Sequence, residues 1–185
     1  MRPAGLLCLL AVLMLALSSF RLPPEDAFSL PSPAREARPR PQPYVIPPEY
    51  QAWVIYYADE TGVPVWMAAR LFSQESVGDP LSGRWNPRAV SWMGAQGLAQ
   101  IMPANLAAFA IDYNNGRPVD PFDPETAIRV GLRYLADLRA ETGSWRAALL
   151  SYNGGIGHWR NPRRWGPWQP ESIEYERRIM GGNKA

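Results

Sequence analysis

The chain has 185 residues, enough for one domain and a tail, and a formal net charge of +2. That charge, with arginines spread among acids and no long basic run, argues against nucleic acid as a partner and suits at most an anionic polymer. One cysteine (Cys8) precludes an internal disulfide, and one histidine (His158) argues against a Ser-His-Asp triad or a multi-histidine metal site, so carboxylates, hydroxyls and amides must carry any chemistry.

Residues 1–20 read as an export signal. Arg2 supplies a short positive start, the run 6–17 is almost unbroken apolar, and Ala16-Leu17-Ser18 offers small residues for cleavage. The run is shorter than the roughly 20 residues that span a bilayer; a short uncleaved membrane anchor is the alternative. Cys8 after Leu7 is a poor fit to a lipoprotein signal. In 21–47 the composition turns to proline mixed with Arg, Glu and Ser, which buries too little apolar surface to fold and reads as an extended linker.

The folded domain is expected over 48–182. Pro48-Glu49 opens a helix through Trp53, Val54, Tyr57 and Ala58 that stops at Gly62-Val63-Pro64. The next helix places Met67, Ala68, Leu71, Phe72 and Glu75 on one stripe and ends near Gly78. A polar loop over 78–88 precedes a turn at 95–103, with Pro103 opening a short helix. Asp120-Pro121-Phe122-Asp123-Pro124-Glu125 supplies an N-cap and a first-turn proline for a helix with Ile128, Leu132, Leu135 and Leu138 inside, ending at Thr142-Gly143. Ser144 caps a helix over 145–152, stopped by Asn153-Gly154-Gly155. An Arg- and Trp-rich loop follows, and Pro170-Glu171 opens a last helix that reaches Met180. No pair of alternating strands stands out, so the domain is expected to be all-α or nearly so.

Glu75 is the residue with the clearest chemical potential. Low dielectric on an apolar face and the negative end of the helix dipole both favour the neutral acid. A carboxylic acid still protonated near neutrality is what a general acid requires.

Four separated stretches extend the pattern. They are Glu75-Ser76; Asn86-Pro87-Arg88-Ala89-Val90-Ser91 with Gly94-Ala95-Gln96-Gly97-Leu98-Ala99-Gln100-Ile101-Met102-Pro103; Ser151-Tyr152-Asn153-Gly154-Gly155; and Glu171-Ser172-Ile173-Glu174-Tyr175. With Asp123-Pro124-Glu125 and Tyr134-Leu135, this ordered set closely resembles the transglycosylase domain of soluble lytic transglycosylases, related to goose-type lysozyme, over about residues 50–180.

The resemblance implies a lysozyme-like helical bundle around a sugar-binding groove, with peptidoglycan glycan strands as the partner and no cofactor or metal. It implies that Glu75 is the sole acid and base. Glu75 would protonate the oxygen between N-acetylmuramic acid and N-acetylglucosamine, then accept a proton from the muramyl 6-hydroxyl as that hydroxyl closes a 1,6-anhydro ring. Such chemistry suits a chain in which no second catalytic carboxylate stands out, whereas ordinary glycosidases hold two about 5–9.5 Å apart. By the same resemblance Ser91 and Gln100 hydrogen-bond the sugar, Met102 forms an apolar wall, and Tyr152 sets its hydroxyl beside Glu75. Asn153 supports the groove, and Glu171 and Tyr175 bind substrate or hold the final helix. Trp85, Trp92, Trp159, Trp165 and Trp168 are candidate stacking platforms, none of them assigned. The implied location is the cell envelope, in the periplasm or anchored to the inner membrane, with secretion as the alternative.

The sequence departs from the family pattern in four places: a longer loop between Glu75 and Ser91, Ala99 for a common methionine, Ala127 for a frequent asparagine, and Gly154 for a common alanine. Two other functions stay open at this point. One is a hydrolytic muramidase on the same fold. The other is a non-catalytic wall-docking part of a secretion, conjugation or phage entry machine.

Overall fold

The computed structural model describes residues 44–181. The export segment expected at 1–20, and the expected linker up to residue 43, lie outside the described residues. Pro48 fixes its own φ near the helical value and lacks an N–H that a first turn could not use. A single 3-10 turn, Pro48–Tyr50, therefore leads straight into α1, Gln51–Thr61. Gly62 ends α1 in the left-handed region and Pro64 precedes α2, Val65–Val77, which Gly78 (φ 74°) closes in the same way.

Helix α2 is the centre of the core. Met67, Leu71 and Phe72 are fully buried, each contributing about 1.5–3 kcal/mol. That margin keeps the helix docked although it also carries the buried Arg70. Burial disfavours the charged guanidinium, and Arg70 finds one partner in the Ile179 carbonyl, 2.9 Å from Nη1.

After α2 the chain runs as irregular loop to Met102, joined by isolated antiparallel bridges of Gln96 with Val90 and with Ile101. A 3-10 turn, Pro103–Asn105, opens α3, Leu106–Tyr113. The longest helix, α4, spans Pro124–Thr142; Asp123 caps it by accepting the Thr126 N–H at 2.9 Å. Ser144 caps α5, Trp145–Gly154, by accepting the Ala147 N–H at 3.1 Å. The last helix, α8, spans Pro170–Met180. Helix α4 packs on α1, α3 and α5, while α8 packs on α5 and α2.

The all-α expectation holds: the described residues form helices, 3-10 turns and two isolated bridges. One local expectation is corrected. The Arg- and Trp-rich stretch is not plain loop but two single helical turns, α6 (Gly157–Arg160) and α7 (Pro162–Trp165). Neither is long enough to show a hydrophobic period; long-range contacts hold them. Arg160 makes a bidentate pair with Glu141 of α4 at 2.7 Å through Nε and Nη2, and the His158 ring lies 5.7 Å from the Trp165 ring and 5.0 Å from the Trp168 ring. No helix among the described residues is long and apolar enough to cross a membrane.

Candidate active site

The stripe that docks α2 also carries Glu75 inward, because residues three and four apart share a helix face. Glu75 lines a cavity of about 220 Å³ together with Gln74, Asn153, Glu171, Glu174, Tyr175 and Arg178. A second cavity of about 280 Å³ is lined by Gln100, Met102, Phe109, Tyr134 and Tyr152 among others, and Asn153 lines it too. Asn153 lines both, so the two cavities are neighbouring chambers, with the Glu75 carboxyl in the first.

Glu75 keeps a little accessible surface where it faces the cavity, while protein crowds it on its other sides. Burial pushes its carboxyl up to about 7. A hydrogen bond donated by the Tyr175 hydroxyl to Glu75 Oε1 offsets part of that rise, because it favours the charged form. Near neutral pH the group therefore exists in both states and can give a proton and take one back. Burial and the nearby Glu75 charge hold the Tyr175 hydroxyl well above the usual tyrosine range, so it stays a donor.

Tyr175→Phe removes that donor, and Glu75 then keeps its proton to higher pH. The alkaline fall of any Glu75-dependent rate is expected to move upward by about one pH unit, with a lower maximal rate because the carboxyl loses its orienting partner. A pH–rate profile of both proteins reads the shift.

The hydroxyl that donates to Glu75 is thus on α8, while the Tyr152 hydroxyl on α5, held well above the usual tyrosine range by burial and by the Glu75 charge, lies within reach of that charge without bonding to the carboxyl. The Tyr152 ring lines the second cavity, but its hydroxyl donates to the Ala99 carbonyl at 2.9 Å. The cause lies on α4. Gly131 has no side chain, and a Cβ there would stand 2.9 Å from the Ala99 Cβ and 3.4 Å from the Tyr152 hydroxyl. The Ala99 backbone can therefore lie close to α4, where the tyrosine meets its carbonyl.

Gln100 and Met102 both line the second cavity. Gln100 adopts a positive φ of 49°, and its Nε2 donates to Gly97 O at 2.9 Å. Asn153 accepts from the Ser172 hydroxyl at 2.8 Å, tying α5 to α8 at the junction of the chambers. Glu171, in the first turn of α8, shares the first chamber with Glu75. Ser91 lines neither chamber. Its Oγ accepts the Ala95 N–H at 3.0 Å, closing the turn that leads to Gln96.

The tryptophans divide. Trp85 stacks on Tyr50 at 5.4 Å and donates to Ser73 Oγ, so it packs under the loop. Trp92, at 93% exposure, stands at a turn tip.

The motifs include Tyr175, as a residue that binds substrate or holds the final helix, but not its bond to Glu75; Ser172, Tyr175 and Ile179, all buried, follow the three- and four-residue spacing of an inward face. Arg70 gave no signal, since a charged residue inside an apolar stripe is ordinarily assigned to the surface. Its bond to Ile179 O anchors the end of α8 on α2, the two helices that carry Tyr175 and Glu75.

Fold and site together define a lysozyme-like helical domain with an enclosed carboxyl in the first of two neighbouring chambers. The chain belongs to the transglycosylase SLT domain family, whose profile matches residues 53–172. It is 34% identical over 124 residues to the membrane-bound lytic murein transglycosylase F of Marinobacter nauticus, covering 63% of this chain and 22% of that protein. The soluble lytic murein transglycosylase of Escherichia coli K12 is 33% identical over 109 residues, 56% of this chain and 16% of that protein. The transglycosylase of Enterobacteria phage PRD1 is 33% identical over 81 residues, 44% of this chain and 26% of that protein. Among solved structures, the 70 kDa soluble lytic transglycosylase of Escherichia coli superposes with a TM-score of 0.59 at 26% identity, over 70% of this chain and 22% of that one. The chain thus spans about a quarter or less of the length of these relatives.

Proposed function

We propose that this chain cleaves the glycan strands of peptidoglycan as a lytic transglycosylase, with Glu75 as acid and then base. The observation that carries the reading is the enclosed Glu75 carboxyl, poised at about 7 in its chamber and oriented by the Tyr175 hydroxyl. Glu75 protonates the oxygen that leaves the N-acetylmuramyl anomeric carbon as the glycosidic bond breaks. The carboxylate so formed takes the proton of the muramyl 6-hydroxyl, whose oxygen bonds to that carbon. No water enters, and the new end is a 1,6-anhydro ring. The nucleophile is held in the same sugar, so its attack needs no second molecule to be positioned. Gln100, Met102, Tyr152 and Asn153 contact the strand along the second chamber; Ser91 shapes the loop that carries Gln100. The relatives' names, which are those of murein transglycosylases, support the same substrate.

Hydrolysis on the same fold is the second reading, and one observation favours it: Glu171 shares the chamber of Glu75 and offers a second carboxylate. The third carboxylate there, Glu174, is occupied by Arg177 at 2.7 Å and Arg178 at 3.3 Å. Mass spectrometry of digested cell walls decides between the two. Anhydro ends, lighter by one water and without a reducing group, are expected; reducing ends alone reject the transglycosylase assignment. Action on the wall places the protein in the cell envelope, in keeping with the apolar start at 1–20.

A further inference from the structure

Two side-chain hydrogen bonds join α2 to α8 among the described residues. Tyr175 donates to Glu75 Oε1, and Arg70 Nη1 donates to the Ile179 carbonyl at 2.9 Å. Arg70 lies five residues before Glu75, and Ile179 four residues after Tyr175, so the bonds pair the helices in antiparallel order about one turn apart. The other polar ties of α8 lead to α5: Ser172 donates to Asn153 at 2.8 Å, and Arg146 lies 2.9 Å from Glu176.

Burial alone argues against an arginine at position 70. The residue is 2% exposed, its surroundings disfavour the charge, and its Nε has no partner. No carboxylate pairs with it among the described residues; its guanidinium lies 5.7 Å over the Trp66 ring. The acceptor it does meet is specific. Ile179 is in the last turn of α8, where carbonyls lack intrahelical partners and carry the negative end of the helix dipole. A charge-assisted bond at that point fixes α8 along its own axis. An apolar side chain of similar length would fill the space but would leave the helix free to slide. Sliding would break the Tyr175 bond first, since O–H···O bonds are confined to roughly 2.5–3.0 Å.

Arg70 does not line the chamber that holds Glu75. The groups that face this carboxyl are the Tyr175 hydroxyl of α8, the Tyr152 hydroxyl of α5, and Glu171, Glu174 and Arg178 around the chamber. We infer that Arg70 is a positioning residue: by holding the end of α8 against α2, it keeps the Tyr175 hydroxyl on the Glu75 carboxyl. The inference rests on the proposed acid–base role of Glu75, and it gives a buried charge outside the chamber a part in the chemistry.

The test compares Arg70→Met, Tyr175→Phe and the double variant with the parent, as full chains acting on isolated cell walls. Methionine keeps much of the bulk and removes both charge and donor. Arg70→Met is expected to lower kcat roughly tenfold with KM little changed, because the acid is misplaced while the second chamber is untouched. The alkaline limb of its rate is expected to move upward, toward that of Tyr175→Phe, since Glu75 loses a bond that favours its charged form. In the double variant the limb is expected where Tyr175→Phe alone puts it, because Arg70 acts through that hydroxyl. A limb at the parent's pH in Arg70→Met overturns the inference, whatever the melting temperature, and leaves Arg70 a purely structural residue. A double variant whose limb moves beyond that of Tyr175→Phe overturns it too. Arg70→Leu is read by the same criterion should the methionine variant fail to fold. Carbon-13 NMR of labelled glutamate carboxyls, with Glu75 assigned by Glu75→Gln, reads the shift without turnover. A parent that cleaves no walls, while the Glu75 titration still moves upward in Arg70→Met, refutes the proposed reaction and leaves the positioning role standing.

Discussion

Glu75→Gln is expected to lower cleavage of isolated cell walls by about 10²–10⁴-fold, the range for removing one general acid–base group, while leaving the protein folded. Glutamine keeps the shape and can still accept from the Tyr175 hydroxyl, but it has no proton to give to a leaving oxygen. A second, independent signature comes from stability. The Glu75 carboxyl titrates near 7 in the folded chain against 4.5 for the free group, so the folded state binds the proton more tightly across that window. Its contribution is fully present below pH 4.5 and is lost as pH rises through 7; the difference corresponds to at most about 3 kcal/mol. An uncharged glutamine does not ionise. The variant should therefore melt higher than the parent above pH 7, and the gap should close toward pH 5. Parallel melting curves from pH 5 to 9, with a cleavage assay, check both effects. A variant that digests walls at the parent's rate removes Glu75 from the reaction.

Gly97→Ala is expected to be the most disruptive small substitution, costing upward of about 3 kcal/mol. Two causes act together. Gly97 has a φ of 74°, which residues with a Cβ avoid, and a Cβ there would stand 1.7 Å from the Pro121 carbonyl oxygen. Backbone lies on both sides, so no side chain can rotate away and the loop or the lead-in to α4 must move. Gly97 also holds its neighbours: its N–H donates to Ala89 O at 2.8 Å, and its carbonyl accepts Gln100 Nε2. Displacement would carry Gln100 and Met102 out of the second chamber and weaken substrate binding along with the fold. Gly94→Ala is the comparison. Its φ is 86° but nothing lies within 4 Å of the new Cβ, so only the conformational cost remains, about 1 kcal/mol. Melting temperatures and KM for the two variants separate collision from strain. Equal melting temperatures would show that the Pro121 contact yields freely.

The same glycine explains why the segment 89–102 was legible as a motif but not as a structure. Its residues lie in order in the chain, yet their geometry depends on a carbonyl at Pro121 and on α4 beneath Ala99, contacts that no local spacing encodes. Gln100 and Met102 reach the second chamber and Ser91 stays in its turn for that reason. Gly154, read as a departure from the family's alanine, has an equally specific cause: a Cβ there would stand 2.7 Å from Ser172 Oγ as well as against Trp168.

What the sequence determined by itself is local. Asp123 and Ser144 cap their helices, Gly62, Gly78 and Gly143 stop theirs, and a 3.6-residue period turned Glu75 toward the apolar side of α2. Each effect acts over a turn or two of chain, within reach of pattern reading. Tertiary structure alone decided which tyrosine donates to the acid, because Tyr152 and Tyr175 differ only in where α5 and α8 come to rest. It also decided that the Arg- and Trp-rich stretch folds into a lobe, since turns of four residues exist only through contacts with α4, α5 and each other. Side-chain hydrogen bonds select partners within about 3 Å, and residues a hundred positions apart reach that distance only when the core has packed.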